Sequence, residues 1–163
     1  MRAGEADEGA ASDLAVIVVN YRTPDLSIDC LASLDAEREA IPGLRAIIVD
    51  GGSGDGSAET IAEAMATRGY GSWVTLLALP VNGGFAYANN QAIFALRDAG
   101  RLPAFLCLIN PDARVRPGAL SALRDRLIAT PRAGAVGARL EQEDGSVQAS
   151  AFHFPSLRSE FCR

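Results

Sequence analysis

The sequence predicts an α/β fold in which a mostly parallel sheet is flanked by helices. Short apolar runs rich in β-branched residues recur along the chain, and each is typical of a strand buried on both faces. Segments with helical spacing of apolar residues separate these runs, so that strand and helix alternate four times. The chain of 163 residues is long enough for one domain with a substantial core.

The predicted strands are continuous apolar runs bounded by polar turn residues. The first two are LAVIVV (14–19), which ends at Asn20, and LRAIIVD (44–50), which a glycine-rich segment follows. Both are rich in β-branched residues, which pack well in buried strands. The other predicted strands are WVTLLAL (73–79), AFLCLI (104–109) and AGAVGARL (133–140). The segment EDGSV (143–147) has the composition of a hairpin turn.

The predicted helices have apolar residues at helical spacing and recognisable ends. Residues 24–39 carry apolar side chains three to four positions apart, with Pro24 in the first turn. Asp55 or Ser57 can cap the next helix, 58–69, which ends at a glycine. The remaining helices are predicted at 85–99 and 117–130. Because strands joined through helices pair in parallel with right-handed crossovers, the sheet is predicted to be mostly parallel.

Composition and charge exclude several classes of protein. The net charge of −5 argues against broad nucleic-acid binding, which needs a basic surface for phosphates. All fifteen basic residues are arginine, so no mechanism that depends on a lysine is available. The cysteines, Cys30, Cys107 and Cys162, are widely spaced without a CxxC pair or a zinc pattern, which suits a reducing cytosol. The apolar runs are too short to span a bilayer.

Three segments differ in composition. Residues 1–13 are acidic and small, which predicts a disordered tail, and they lack the basic and apolar regions of a signal peptide. Residues 14–140 form the predicted α/β domain. Residues 141–163 are predicted to begin a further region, which contains the lone histidine, His153; its aromatic neighbours favour a packing role over catalysis.

Polar residues follow several predicted strands at the point where each strand ends. Asn20 and Tyr21 follow the first strand, Asp50 ends the second, and Asn110 and Asp112 follow the fourth. Ligands of parallel α/β sheets bind at the carboxyl ends of the strands, so these side chains can converge on one ligand. The segment that contains Asp112 has two interpretations. It is either an ordinary turn or the source of a carboxylate for a divalent cation bound to a diphosphate.

Two glycine-bearing segments also have two interpretations each. VDGGSGDGSAE (49–59) is not a P-loop, because it lacks the lysine, and it misses the dinucleotide pattern because Ser57 replaces the third glycine. It is either a flexible turn or a loop that presents Asp50 to a base or a ribose. In VNGGFAYANNQAI (81–93), Asn89 and Asn90 are poor helix formers, so they either face solvent or bind a ligand.

Four segments, in this order, resemble motifs of the family 2 glycosyltransferases, and in particular the rhamnosyltransferase-like branch that builds bacterial cell-wall and surface polysaccharides. They are VIVVNYRTPDLSIDCLASL (16–34), IIVDGGSGDGSAE (47–59), NGGFAYANNQAI (82–93) and LCLINPDARVRPGAL (106–120). GSVQASAFHFPSLRSE (145–160) is similar to a further stretch of that family. The resemblance implies the GT-A fold, a Rossmann-like α/β/α sandwich.

The resemblance also implies a role for individual residues at the donor site. Asp50 would hold the pyrimidine base of a dTDP- or UDP-sugar, with Asn20 and Tyr21 beside it. Asp55 would lie close to the nucleotide. The donor pocket would be lined by Asn90, Gly84 and Asn89. Asp112 would bind Mg²⁺ or Mn²⁺ bridging the diphosphate, with Asn110 in the first position of a DxD-like motif.

Some positions depart from the pattern of the family. Gly51 and Gly54 replace the usual Asn and Thr, which removes side-chain donors beside the base. Inverting enzymes of this family use an acidic general base downstream of the metal motif, and none is assigned here. Three candidates lie on or beside the predicted hairpin turn and are expected to be solvated: Glu141, Glu143 and Asp144. The chain is therefore expected to be a donor-binding fragment, with residues 141–163 beginning the acceptor side.

The resemblance further implies partners and a location. The acceptor would be a glycan, often lipid-linked, which would place the enzyme in the cytoplasm, with peripheral association at the inner face of the cytoplasmic membrane. Three other functions are compared with this one. A nicotinamide-dependent oxidoreductase needs a glycine fingerprint after the first strand, and a sugar nucleotidyltransferase needs a catalytic lysine; both are absent. A non-catalytic nucleotide-binding module stays open.

Overall fold

The structure is a computed structural model that describes residues 14–150. The chain divides into two compact units, with the boundary between Gly118 and Ala119. The predicted tail at 1–13, together with His153 and Cys162, lies outside the described residues. The predicted domain ends at 140 and 141 stay predictions.

The first unit consists of alternating strands and helices, as predicted. In chain order they are β1 (Leu14–Asn20), α1 (Pro24–Asp35), β2 (Arg45–Asp50), α2 (Ser57–Thr67), β3 (Val74–Ala78), α3 (Gly84–Asp98) and β4 (Phe105–Ile109). A short 3₁₀ helix, Tyr70–Ser72, precedes β3. Helices cover β1 and β2, which are buried almost throughout, as continuous apolar runs predict. Strands β3 and β4 are only partly buried, so the burial on both faces expected from their apolar runs is wrong for these two.

The four strands form one parallel sheet in the order β3-β2-β1-β4. The chain therefore moves outward from β1 to β3 and then crosses back to the other side of β1. Such a reversal creates a crevice between two neighbouring strands at their carboxyl ends, where α/β proteins bind ligands. In this sheet the crevice lies between β1 and β4.

Helices cover both faces of the sheet, which confirms the predicted α/β/α arrangement. Helix α3 packs on β1 and β2 through Ala88, Ala92 and Leu96, against the side chains of residues such as Ile17 and Val49. Helices α1 and α2 contact each other and also pack on β1 and β3 respectively. Because side chains alternate along a strand, these two helices cover the opposite face.

The second unit contains α4 (Ala119–Ile128) and a small antiparallel hairpin. Strands β5 (Leu140–Glu141) and β6 (Val147–Gln148) pair through the turn that EDGSV predicted. The turn is closed by the amide of Gln142, which donates to the carbonyl oxygen of Ser146 over 2.8 Å. The predicted hairpin is thus confirmed.

Two predicted elements are wrong in extent. The strand predicted at 133–140 is absent apart from Leu140, and residues 133–139 form no strand in the structure. This run is rich in Ala and Gly, which offer little side chain for a pleated surface. The helix predicted at 24–39 ends at Asp35, and residues 36–40 form turns. Within the described part of the chain, no helix is long and apolar enough to cross a membrane.

Replacing a fully buried side chain of the central strands tests this core. Ile48 in β2 has no exposed surface, so Ile48→Ala is expected to lower the free energy of unfolding by about 2–5 kcal/mol. Leu102 is 51% exposed, so Leu102→Ala is the matched control and should change it by less than about 0.5 kcal/mol. Urea unfolding followed by circular dichroism measures both. Equal effects of the two substitutions would contradict the packing described here.

Candidate functional site

The carboxyl ends of the strands bring the predicted site residues to one edge of the sheet. In the β1–β2 pair, Asn20 lies directly opposite Asp50. In the β1–β4 pair, Ile109 lies opposite Val18, so Asn110 follows at the same edge. Neighbouring strands lie about 4.8 Å apart, so the three strand ends fall within about 10 Å of each other. The predicted convergence of β1, β2 and β4 is confirmed.

Asp50 is the centre of a buried hydrogen-bond network. Its side chain is only 3% exposed. The Oδ1 atom accepts hydrogen bonds from Asn20 Nδ2 at 2.7 Å and from Ser53 Oγ at 2.6 Å, and Oδ2 accepts one from the amide of Ser53 at 3.0 Å. A buried carboxylate needs such donors, because an unpaired buried charge costs several kcal/mol. Oδ2 retains acceptor capacity for one further donor.

Asn20 is a positioning residue whose side chain is fully buried. Its Nδ2 donates to Asp50. Its Oδ1 accepts hydrogen bonds from the amide and hydroxyl of Thr23, both at 3.3 Å, and from Ser27 Oγ at 3.0 Å. The amide side chain therefore joins the end of β1 to the first turn of α1 and to β2. These contacts orient Asp50 and leave little of Asn20 for direct contact with a ligand.

Ser53 ties the loop after β2 to the loop after β1. Its hydroxyl accepts a hydrogen bond from the Arg22 amide at 3.0 Å, and the Arg22 guanidinium donates to the Ser53 carbonyl oxygen at 3.3 Å. Arg22 has a left-handed backbone with φ of 60°, an uncommon conformation for a residue with a side chain. Its guanidinium also stacks over the ring of Tyr21, 5.2 Å from the ring centre. Tyr21 is exposed, so its ring is accessible to a ligand beside the loop that follows Asp50.

Gly52 allows the β2–α2 loop to approach the segment that follows β3. Its φ is 73°, and a Cβ atom added there would lie 2.6 Å from the carbonyl carbon of Val81 and 2.8 Å from the amide nitrogen of Asn82. Real Cβ atoms do not come so close to backbone atoms. The glycine-rich composition that suggested a flexible turn therefore reflects a close backbone contact.

Asp55 is exposed and accepts hydrogen bonds at the start of α2. Its Oδ1 accepts hydrogen bonds from the hydroxyl of Ser57 at 2.5 Å and from the Ser57 amide at 3.1 Å. The side-chain hydrogen bond from Ser57 is the main reason why the pKa of Asp55 lies below its usual value. The N-cap residue is Gly56, which makes no side-chain cap hydrogen bond, so the predicted N-cap at Asp55 or Ser57 is wrong, although Asp55 accepts from the first amide of the helix.

The two asparagines of α3 occupy different environments. Asn90 is exposed, whereas Asn89 is only 4% exposed. Asn89 Nδ2 donates to the carbonyl oxygen of Phe85 at 2.9 Å, but its Oδ1 is buried without a donor among residues 14–150. Gly84 begins the helix with φ of 83°, and its amide donates to Asn82 Oδ1 at 2.9 Å. Of the two asparagines of α3, only Asn90 therefore faces solvent.

Asp112 and Asn110 lie on the exposed loop that follows β4. The carbonyl oxygen of Asn110 accepts a hydrogen bond from the Ala113 amide at 3.1 Å, which forms the turn expected from INPDA. The Asp112 carboxylate makes no hydrogen bond or ion pair with any residue that the structure describes. It is therefore free to bind an external cation.

Helix α1 and the turn after it hold the Asp112 loop from one side. Asp29 accepts a hydrogen bond from Arg114 at 2.8 Å, and the two side chains form an ion pair. Ser33 Oγ accepts a hydrogen bond from the amide of Val115 at 3.0 Å. The buried carboxylate of Glu37 accepts one from the Gly118 amide at 2.7 Å. These three acceptors are spaced four residues apart, so they form one stripe.

A cysteine beside this loop is not suited to bind metal. Cys30 and Asp112 line the same small recess of about 30 Å³. Burial, together with the nearby Cys107 and Asp112, raises the pKa of the Cys30 thiol to about 12, so the thiol stays protonated at neutral pH. Residues 14–150 contain no cluster of three or more Cys, His, Asp or Glu side chains able to hold a metal. Any metal here would need ligands beyond those that residues 14–150 provide.

Comparison with known sequences decides the family. The sequence model of glycosyl transferase family 2 matches residues 15–159, which is most of the chain. The chain belongs to glycosyl transferase family 2. It is also 34% identical over 150 residues to the N-acetylglucosaminyl-diphospho-decaprenol L-rhamnosyltransferase of two strains of Mycobacterium tuberculosis. That alignment covers 88% of this chain and 46% of the relative, so the chain spans about half of the relative's length.

Solved structures show that the fold is shared. A mannosyltransferase from Pyrobaculum calidifontis, solved with GDP-mannose and Mn²⁺, superposes with a TM-score of 0.62 at 20% identity. The match covers 81% of this chain and 36% of the mannosyltransferase. Staphylococcus aureus TarS, residues 1–349, superposes with a TM-score of 0.54 at 19% identity, covering 71% of this chain and 32% of TarS. The GT-A fold inferred from the sequence is confirmed.

Sequence reasoning located the strand ends but missed the residues that organise them. Ser53, Ser27 and the stripe of Asp29, Ser33 and Glu37 were not selected. For the stripe a signal existed, because polar residues four apart on a helix share one face. For Ser53 there was none, because its role depends on the pairing of β1 with β2.

Two glycines of the β2–α2 loop provide a matched test of the close contact between Gly52 and the backbone of Val81 and Asn82. Gly52 and Gly54 both have positive φ, but an added Cβ at Gly54 meets nothing within 4 Å. Gly52→Ala and Gly54→Ala therefore share the backbone strain of roughly 1–2 kcal/mol. Only Gly52→Ala should also shift the amide resonances of Val81 and Asn82 in a ¹⁵N–¹H spectrum. Indistinguishable spectra would contradict the contact.

Removing the Ser53 hydroxyl tests the buried network. Ser53→Ala is expected to lower the free energy of unfolding by about 1–3 kcal/mol, because Asp50 and the Arg22 amide each lose a hydrogen bond. Ser121→Ala is the control, since the Ser121 hydroxyl makes no hydrogen bond within the described residues. Denaturant unfolding measures both variants, and a Ser53→Ala protein as stable as Ser121→Ala would contradict the network.

Proposed function

We propose that this chain binds the nucleotide part of a dTDP- or UDP-sugar at the carboxyl edge of its sheet. The reaction it serves is metal-dependent transfer of the sugar, with inversion, to a glycan acceptor. The observation that carries this proposal is the free Asp112 carboxylate, held on a braced loop at the same sheet edge as the Asp50 network. Glycosyl transfer is the chemistry of the family to which the chain belongs.

The pyrimidine base is assigned to Asp50 and its surroundings. The remaining acceptor capacity of Asp50 Oδ2 suits an N–H group of a base, and the Asn20 and Ser53 donors hold the carboxylate in one orientation. The exposed ring of Tyr21 offers a flat apolar surface beside this loop, on which a base can stack. Asp55, next to the start of α2, is assigned to the nucleotide's periphery.

The metal is assigned to Asp112, with Asn110 beside it. Mg²⁺ and Mn²⁺ prefer oxygen ligands, and a nucleotide-bound cation commonly takes one or two carboxylates from the protein. A single free carboxylate on this loop fits that requirement. The bound cation would stabilise negative charge on the departing nucleoside diphosphate. Asp29, Ser33 and Glu37 keep the loop in position for this role.

The donor sugar is assigned to the start of α3. Asn90 is exposed in the second turn of this helix and can exchange hydrogen bonds with sugar hydroxyls. The buried Oδ1 of Asn89 can accept a hydrogen bond from a ligand hydroxyl or from water. Gly84 leaves the helix start without a side chain, so that a ligand can approach the backbone closely.

The acceptor is proposed to be a lipid-linked glycan. The Mycobacterium tuberculosis relatives are named for a decaprenol-linked acceptor, and such an acceptor would bring the enzyme to the inner face of the cytoplasmic membrane. No general base is assigned. Glu141 forms an ion pair with Arg139, and Asp144 accepts a hydrogen bond from the Ser146 amide, so both already serve the hairpin.

A non-catalytic nucleotide-sugar-binding module is the second candidate. The observation that favours it is the solvated position of Glu143 and Asp144 in the hairpin turn, which predicts poor general bases. Product formation separates the two candidates. Release of nucleoside diphosphate that depends on an added lipid-linked glycan supports the transferase, and tight binding without release supports the module.

Calorimetric titration of UDP and dTDP tests the proposed donor site. Binding should require Mn²⁺, disappear with EDTA and weaken about 10- to 100-fold in Asp112→Ala, because one charged ligand is lost. Asp98→Ala removes the same charge at the far end of α3 and should bind as the unmodified protein does. Equal affinity with and without metal, or equal affinity of Asp112→Ala and the unmodified protein, would contradict the proposal.

A further inference from the structure

A cavity of about 350 Å³ lies at the opposite edge of the sheet from the donor site. It is lined by Arg38, Gly43, Leu44, Arg45, Ser72 and Trp73. Arg45 is the first residue of β2 and Trp73 immediately precedes β3, so the cavity lies at the amino ends of the strands. A strand rises about 3.3 Å per residue, so the six residues of β2 separate the cavity from Asp50 by about 17 Å.

The polar side chains that line this cavity are hydrogen-bond donors. Arg38 and Arg45 carry guanidinium groups, Ser72 a hydroxyl and Trp73 an indole. Guanidinium and indole groups can only donate, and a hydroxyl can donate as well as accept. Among the described residues, no carboxylate lines the cavity. Its chemistry therefore suits a ligand rich in acceptors.

Trp73 supplies a donor that lacks an acceptor. The side chain is only 6% exposed, and its Nε1 atom is buried without a hydrogen-bond partner within residues 14–150. The indole is held in place by Tyr70, whose ring meets it edge-on at 5.3 Å, and by Arg38, whose guanidinium lies 5.1 Å from the ring centre. An orphaned buried donor is unfavourable, so it indicates a ligand or an ordered water.

Arg45 brings an unpaired positive charge to the cavity, and Arg38 brings further donors. The Arg45 guanidinium has neither an ion pair nor a hydrogen bond with any residue in the described part of the chain. Arg38 forms one ion pair, with Asp35 at 3.0 Å, and this pair is exposed at the surface. A guanidinium has five N–H donors, so Arg38 retains donors for a second partner. Arginine forks match the oxygens of phosphate groups.

We propose that this cavity is a second binding site, which takes an anion that carries a phosphate group. Arg45 provides an unpaired charge, Arg38 its remaining N–H donors and Ser72 a hydroxyl, and Trp73 lines the cavity with them. The volume lies within the range of about 300–1,000 Å³ typical of small-molecule sites, so it accommodates a phosphate with an attached group. The phosphate belongs either to a soluble phosphate compound or to a phospholipid headgroup. This site does not depend on the proposed donor site.

The chain contains one tryptophan, Trp73, so its fluorescence reports on this cavity alone. Inorganic phosphate titrated into the full chain at constant ionic strength should change the emission in a saturable manner, whereas sodium chloride should not. Arg45→Gln should weaken this binding about 10-fold or more, because a charged donor is removed. Arg132→Gln removes the same charge from an exposed position outside the cavity and should leave the affinity unchanged.

Vesicles identify the source of the phosphate. Vesicles that contain phosphatidylglycerol, compared with pure phosphatidylcholine, should bind the chain in a sedimentation assay and change Trp73 emission if a headgroup is the ligand. A response to inorganic phosphate without a response to vesicles identifies a soluble ligand. Either response supports the site if Arg45→Gln weakens it about 10-fold or more.

Two results would overturn the proposal. One is an emission spectrum that neither phosphate nor anionic vesicles alter in a folded protein. The other is a response that Arg45→Gln leaves unchanged. Circular dichroism establishes that the variants are folded, and Ser72→Ala, at an exposed position, provides a second variant that should also weaken binding.

Discussion

The buried carboxylate of Asp50 is the constraint on which the carboxyl edge of the sheet depends. A charge that is 97% removed from solvent must be matched by donors, and the parallel register of β1 and β2 places Asn20 opposite it to provide one. Ser53 provides two more from the following loop. Asn20 also accepts hydrogen bonds from Thr23 and Ser27, and Ser53 accepts one from the Arg22 amide. One carboxylate therefore fixes the end of β1, the end of β2 and the start of α1.

Helix α1 links the two halves of this edge. In its first turn, Ser27 donates to the buried amide of Asn20 and so contacts the Asp50 network. Further along, Asp29 and Ser33 accept hydrogen bonds from the loop that carries Asp112. A displacement of α1 would therefore move both regions together. This arrangement agrees with the proposed ligand, a nucleoside diphosphate, which would span the proposed base pocket and the proposed metal site.

The order of elements could be predicted because it depends on local patterns. Continuous β-branched runs identified β1 and β2, and their ends at Asn20 and Asp50 located the edge of the sheet. The strand predicted at 133–140 is wrong because apolar composition was counted there without regard to side-chain size. The roles of Ser53 and Gly52 could not be predicted, because each depends on a segment distant in the sequence that only the folded sheet brings near.

The two edges of the sheet differ in the chemistry of their side chains. The carboxyl edge carries acidic and amide side chains, which suit a base and a hydrated cation. The amino edge carries Arg38 and Arg45 around Trp73, which suit an anion. Nothing in the local sequence of either arginine indicated this, since the cavity is formed by segments on either side of β2 and before β3.

The measurement that tests the central claim most directly is the mapping of ¹⁵N–¹H chemical shifts when UDP and Mg²⁺ are added to the full chain. The account predicts that the perturbed amides cluster at the carboxyl edge, in residues 20–23, 50–57, 81–90 and 110–113. Perturbations confined to the neighbourhood of Trp73, or none in a spectrum that shows a folded protein, would contradict it.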